Sequence, residues 1–136
     1  MTWTPQQEIQ AARDRGNSNI CLSRKVSAIP DEVFELTHIK RLSLESCQLK
    51  SLSAEIFRLT NLLSLDLLNN ELTDLPSEMV SLQKLATLIL AKNQFETFPE
   101  VICQLSGLAG IQMWENQISE IPEAIGNLRS LNSLEL

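Results

Sequence analysis

Side chains that could support catalysis are few and scattered along the chain. His38 is the only histidine, so a Ser-His-Asp or Cys-His arrangement has one possible base. It falls outside the predicted strands, and we expect it on the surface. Glu45 and Asp66 could approach each other across strands, but acids on an open wet surface lack the burial that tunes a catalytic pKa. We therefore predict no catalytic site and no enzyme activity for this chain.

The cysteines give no sign of a metal site or a disulfide framework. Cys21, Cys47 and Cys103 are odd in number and far apart, whereas secreted disulfide-rich domains have dense, even sets. No C-x-x-C pair is present, so a zinc site is not indicated. We expect reduced thiols, no metal, no cofactor and a cytoplasmic location.

The charge and hydropathy of the chain exclude several classes of partner. The net charge is −6, so a phosphate backbone or an anionic membrane surface would be repelled, and we predict neither nucleic acid nor membrane as partner. The first ten residues lack the apolar core of a signal peptide, and no stretch approaches the roughly 18 apolar residues of a membrane span. A longer parent protein could supply such segments.

The elements that position any functional residue come from a repeat of 23 residues. Its unit reads L-x-x-L-x-L-x-x-N-x-L-x-x-L-P-x-x-I-x-x-L-x-x, and copies start at Ile39, Leu62, Leu85 and Leu108. A fifth copy begins at Leu131. The step is marked most clearly by the recurring asparagines and prolines, which are Asn70, Asn93 and Asn116, and Pro76, Pro99 and Pro122.

Each position of the unit has a physical role. The x-L-x-L-x stretch alternates with period two, which predicts a short strand with one apolar face. The later I-x-x-L spacing suits a helical or 3₁₀ return segment, and the proline before it fixes φ where that segment starts. One coil cannot bury its own apolar side, so stacked coils must share a core and align their strands in a parallel sheet.

The asparagine is predicted to satisfy backbone groups that turn inward after the strand. An unpaired buried backbone group costs about 1–3 kcal/mol, and an amide side chain offers both donors and acceptors to bridge adjacent coils. Cys47 holds this position in one copy, and we expect that rung to be less well satisfied. Ser53 replaces the proline in the same copy.

These residues resemble the leucine-rich-repeat family in its 23-residue L-P-x-x-I-x-x-L variety, most of all the Ras-group scaffold and Scribble/Erbin-type repeats, over Ile20 to Leu136. Bacterial and Roco-family proteins carry similar repeats. The resemblance implies an α/β leucine-rich-repeat solenoid, curved, with a concave parallel sheet, short convex helices and a protein partner on the concave face. It equally allows a regulatory or substrate-recognition segment of a larger enzyme, whether an effector ligase, a GTPase or a kinase.

The two ends of the chain depart from the repeat. Thr4, Pro5 and Gln7 form a T-x-x-Q capping box, and Gly16 is a natural stop, which predicts an amphipathic capping helix within residues 1–18. Residues 19–136 then form the repeats as one structural domain. In the first coil we place Ile20 and Leu22 in the apolar positions. The last strand stops without a cap, so we expect a fragment, or an edge that pairs with a partner or continues into further repeats.

The strand positions that face solvent indicate where a partner would bind. Most are polar, but four apolar ones fall on adjacent strands: Leu68, Ile89, Ala91 and Trp114. Polar residues surround them: Glu45, Asp66, Gln112, Lys92 and Glu115. We call the four apolar residues the concave patch. An apolar centre with a charged rim is typical of interfaces, and tryptophan is enriched at their hot spots. Scattered apolar surface residues are also normal, which is the alternative explanation.

Overall fold

The computed structural model describes residues 3–136 and contains one parallel sheet of six strands. The strands pair in chain order, so each coil lies beside the next. Leu42, Leu65, Leu88 and Ile111 are aligned across the sheet, as the repeat predicts. The strands are β1 (Asn19–Cys21), β2 (Arg41–Ser43), β3 (Ser64–Asp66), β4 (Thr87–Ile89), β5 (Gly110–Gln112) and β6 (Ser133–Glu135).

A 3₁₀ helix forms the return path of every coil. The five helices are Asp31–Glu35, Ala54–Arg58, Ser77–Ser81, Glu100–Gln104 and Glu123–Asn127. Four follow a proline, whose restricted φ suits the extended position before the first helical turn. Ser53 fills this position in the remaining coil, and its hydroxyl accepts a hydrogen bond from the Glu55 amide at 3.1 Å. The serine therefore caps the 3₁₀ helix of this coil, whereas a proline precedes the 3₁₀ helix in the other four coils.

The inward side chains of successive coils form one continuous core. Leu65, Leu88 and Ile111 each have 0% of their surface exposed. Fully burying such a side chain contributes roughly 1.5–3 kcal/mol, and each is shielded by its neighbours in adjacent coils. The predicted leucine-rich-repeat solenoid is therefore confirmed, with the sheet on one face and the 3₁₀ helices on the other.

Buried asparagines join neighbouring coils, as predicted. The Asn70 Oδ1 atom accepts hydrogen bonds from the amides of Cys47 and Leu49, both at 3.0 Å. Its Nδ2 atom donates to the carbonyls of Leu44 and Leu67, again at 3.0 Å. One side chain thus satisfies backbone groups of its own coil and of the preceding one.

We call the asparagine position of successive coils the asparagine ladder. Cys47 occupies this position in its coil and joins adjacent coils more weakly than Asn70 does. Its thiol donates to the Leu22 carbonyl at 3.3 Å, and the side chain is 2% exposed. Among residues 3–136 the thiol accepts no amide hydrogen of the kind that Asn70 receives from Leu49. The burial favours a structural role for this cysteine.

The first coil is one residue shorter than the others, and Ile20 and Leu22 occupy its apolar positions as predicted. Ile20 pairs with Leu42, and Ile20 and Leu22 are buried while Cys21 is exposed. The Arg24 amide donates to the Glu45 carbonyl, so the next residue, Lys25, occupies the asparagine position. The Lys25 ammonium lies 3.5 Å from the Glu8 carboxylate, and both side chains are less than one-fifth exposed.

A capping helix, α1 (Pro5–Arg15), covers the first coil. The predicted capping box is present, since the Gln7 amide donates to the Thr4 hydroxyl and the Thr4 amide to the Gln7 side chain. Gly16 ends the helix with a φ of 70°. The helix buries Ile9, Ala11 and Ala12. Within residues 3–136, no helix has the length and apolar character required to cross a membrane.

Candidate functional site

The concave face of the sheet arranges its side chains in columns. Ser43, Asp66, Ile89 and Gln112 are aligned across β2 to β5, with neighbouring strands about 4.8 Å apart. The column beyond the strand ends contains Glu45, Leu68, Ala91 and Trp114. Backbone bonds hold it in register, because the amides that follow Leu68 and Ala91 donate to the carbonyls of Ala91 and Trp114 at 3.0 and 2.9 Å.

Three members of the concave patch present apolar surface to solvent. Leu68, Ile89 and Trp114 are partly exposed, and they lie on three successive coils. The expectation that Ala91 contributes to this surface is wrong, because Ala91 is 0% exposed. Its neighbours in the same column, Leu68 and Trp114 on the flanking coils, carry much larger side chains. Ala91 therefore forms the floor of the patch and offers no area to a partner.

Lys92 supports the tryptophan from the neighbouring coil. Its Nζ atom lies 5.7 Å from the centroid of the Trp114 ring, within the range of a cation–π interaction. Its backbone amide also donates to the Trp114 carbonyl at 2.9 Å. Lys92 itself is exposed, so its charge is shared between the ring and solvent. The contact favours one orientation of the indole before any partner arrives.

The predicted rim of the patch contains both structural and unpaired acids. The Asp66 carboxylate accepts a hydrogen bond from the Leu68 amide at 3.0 Å, which fixes the turn that carries Leu68. Glu45 lies 3.6 Å from the Arg24 guanidinium. Gln112 is partly exposed and Glu115 is exposed. The structure thus places the five rim residues around the patch, while their part in binding remains a prediction.

A left-handed backbone recurs at the rim and was not foreseen from the sequence. Ser46, Asn69, Lys92 and Glu115 have φ values of 58°, 57°, 55° and 56°. Each stands immediately before the ladder position of its coil. Only Asn69 is of a type that favours this conformation. Its place before Asn70 was the one available signal, and a single asparagine did not distinguish a turn from an ordinary surface position.

Outside the patch, the chemically reactive side chains are dispersed. The exposed His38 ring makes a hydrogen bond through Nε2 to the Asn17 carbonyl, at 3.0 Å. Cys21 is exposed, whereas Cys47 and Cys103 are buried. Burial, and then the nearby Glu100 carboxylate, raise the pKa of the Cys103 thiol. Among residues 3–136, no three His, Cys, Asp or Glu side chains are grouped so as to hold a metal ion.

Comparison with known proteins agrees with this architecture. Residues 37–95 match the family model described as "Leucine rich repeat". A solved leucine-rich-repeat protein of Leptospira interrogans is similar over 88% of this chain, with 32% identity and a TM-score of 0.84. The chain spans 31% of that protein's length. No curated protein matches the chain significantly.

Two plant receptors are similar in structure as well. The ectodomain of the Arabidopsis thaliana receptor kinase GASSHO1/SCHENGEN3, solved in complex with CASPARIAN STRIP INTEGRITY FACTOR 2, is 40% identical with a TM-score of 0.69; the match covers 80% of this chain and 14% of that one. The plant peptide hormone receptor RGFR1, in complex with RGF2, is 32% identical with a TM-score of 0.69, over 79% and 18%. The chain is therefore a leucine-rich-repeat protein, and such proteins are generally protein-interaction modules without enzyme activity.

Proposed function

We propose that this chain binds a protein partner on the concave face of its sheet, through Leu68, Ile89 and Trp114, and that it does so in the cytoplasm. Rigid surface complementarity is the mechanism, because the sheet and the asparagine ladder hold these side chains in place before binding. Glu45, Asp66, Gln112, Lys92 and Glu115 then form the polar rim that selects the partner.

One observation carries the proposal: a half-buried tryptophan stands among partly exposed apolar side chains on a face whose other positions are mostly polar. Leaving Trp114 partly in water costs hydrophobic free energy that a partner recovers on docking. The fixed orientation given by Lys92 lowers the entropic cost of that step. The two similar receptors solved in complexes support a polypeptide as the ligand.

Affinity purification from the native cell tests the proposal. We expect Trp114→Ala to lose the specific partner while the purified variant stays folded. Phe57→Ala is the matched control, because Phe57 is an aromatic residue that is even more accessible, 42% exposed, and lies on the opposite, convex face. If both variants recover the partner as well as the natural chain does, the concave patch is not the binding site.

A second candidate is the recognition segment of a larger enzyme. It is favoured by the similarity to the ectodomain of a receptor kinase, of which the chain spans 14%. In that case the concave face would present a substrate or a regulator to a joined catalytic domain. The complete reading frame separates the two candidates, since a catalytic domain in it supports the second and its absence supports a stand-alone module.

A further inference from the structure

The charge of the chain is unevenly distributed along the solenoid. Residues 93–136 contain six acidic residues and one basic residue, Arg129, whereas residues 1–92 contain eleven acidic and ten basic residues. Nearly all of the net charge of −6 therefore lies in the last third of the sequence, where β5 and β6 are found. The six acidic residues are Glu96, Glu100, Glu115, Glu120, Glu123 and Glu135.

These carboxylates are not neutralised within the described chain. The ion pairs among residues 3–136 join Arg13, Arg24, Lys25 and Arg58 to acids that all precede residue 93. All six carboxylates in the last third are exposed. Two of them adjoin the concave patch: Glu115 follows Trp114 directly, and Glu135 is aligned with Gln112 in the next strand.

Resting on the proposed function, we infer that the partner is a basic polypeptide segment, with an apolar anchor seated on Trp114 and Ile89 and with Lys or Arg side chains lying over Glu115 and Glu135. Charge complementarity argues for this occupant. Among residues 3–136, Lys92 is the one cation at the patch; it lies toward β4 and is engaged with the indole. The cations of the partner must therefore lie on the β5–β6 side of the anchor.

The negative charge of Glu115 and Glu135 disfavours a partner segment that is acidic. An acidic segment docked on Trp114 would meet Glu115 and Glu135 with no cation between them, and like charges at an interface cost binding free energy. Opposite charges instead accelerate association and make it sensitive to salt. The inference thus specifies both the composition of the partner and the direction in which its charged residues extend from the anchor.

Selection from a displayed random peptide library tests this inference on the whole chain. We expect enriched peptides to combine an aromatic or large aliphatic residue with Lys or Arg. Synthetic copies should bind at least about tenfold more weakly to the Trp114→Ala variant. Charge reversal at Glu115→Lys or Glu135→Lys should weaken the same peptides about fivefold or more, and added NaCl should reduce their affinity for the natural chain.

Reversal at convex positions provides the matched control. Glu100→Lys and Glu123→Lys change the net charge equally but lie at the starts of 3₁₀ helices, and we expect them to weaken the peptides much less. Equal losses at concave and convex positions would overturn local pairing. Uncharged or acidic peptides that still require Trp114 would overturn the basic partner alone. Peptides indifferent to Trp114→Ala, or no enrichment at all, would overturn the proposed function as well.

Discussion

Among single residues, Gly107 allows two coils to pack closely, because it has no side chain at their contact. A Cβ atom added there would lie 2.7 Å from the Gln83 carbonyl oxygen and 3.3 Å from that of Leu85. Both neighbours are backbone atoms that lie about one repeat earlier in the chain, so they cannot rotate away as a flexible side chain would. The glycine is required by this contact and not by its φ.

We predict that Gly107→Ala lowers the free energy of unfolding by about 1–3 kcal/mol, because an overpacked contact must push the coils apart. Gly126→Ala is the control, since the added methyl group would meet nothing within 4 Å. Chemical denaturation of both variants measures the difference. Equal midpoints for the two alanine variants would show that the coils separate at little cost.

The sequence predicted most of the candidate site, and its failures occurred at single residues. Alternation and the repeat identify solvent-facing positions such as Leu68, Ile89 and Trp114. They could not show that Ala91 is buried, because its exposure depends on the sizes of the side chains on flanking coils. The close approach at Gly107 was likewise invisible, since it depends on the distance between two coils and not on any local pattern.

At the level of elements, α1 is joined to the repeats partly by an ion pair. Glu8 projects from the helix to Lys25, which occupies the asparagine position of the first coil. Both groups are largely shielded from solvent, so the pair should contribute more than an ordinary surface salt bridge. The Arg13–Glu35 pair, at 3.3 Å, also joins α1 to the first coil, at its 3₁₀ helix, but is far more exposed.

We predict that Glu8→Gln or Lys25→Met lowers the free energy of unfolding by about 1 kcal/mol, with a favourable coupling energy in the double-mutant cycle. The same cycle on Arg13 and Glu35 should give a coupling near zero, because solvent and salt screen that pair. Thermal melts at low and high salt provide the measurement. A larger coupling for the exposed pair would contradict this account of the helix anchor.

Helix and strand positions followed from the sequence more completely than the details of the first coil. Capping chemistry fixed both ends of α1, and prolines marked the start of four of the five return segments. The role of Lys25 could not be predicted, because a lysine at a ladder position has meaning only once α1 brings Glu8 near it. The division into residues 1–18 and 19–136 as cap and repeats remains a prediction.

For the whole molecule, stacking means that each coil is stabilised by its contacts with the coils on either side. Each inner coil is supported on both sides, whereas β6 is paired only with β5 in the described chain. Ile118, Ile121, Ile125 and Leu131 are accordingly only partly buried, while the matching residues of the copies that start at Ile39, Leu62 and Leu85 are buried. Opening of the last coil should therefore cost less free energy than opening of the middle.

Amide hydrogen exchange is expected to show this gradient. The Leu67 amide donates to the backbone carbonyl of Ile89 at 2.9 Å, and the Leu90 amide to that of Gln112 at 2.7 Å. The Met113 amide instead donates to the backbone carbonyl of Glu135 in β6, at 2.7 Å. We predict protection at Leu67 to exceed that at Met113 by about tenfold or more. Uniform protection along the sheet would show instead that the solenoid opens only as a single unit.

The register of the sheet has a further consequence for how such a molecule changes its ligand. Inward and outward positions alternate within every strand, so a substitution at Ile89 or Gln112 leaves the buried side chains on either side of it in place. Recognition can therefore diversify one side chain at a time, or by exchange of a whole coil, while the scaffold keeps its geometry. New binding specificities therefore arise through single substitutions or coil exchanges that leave the fold unchanged.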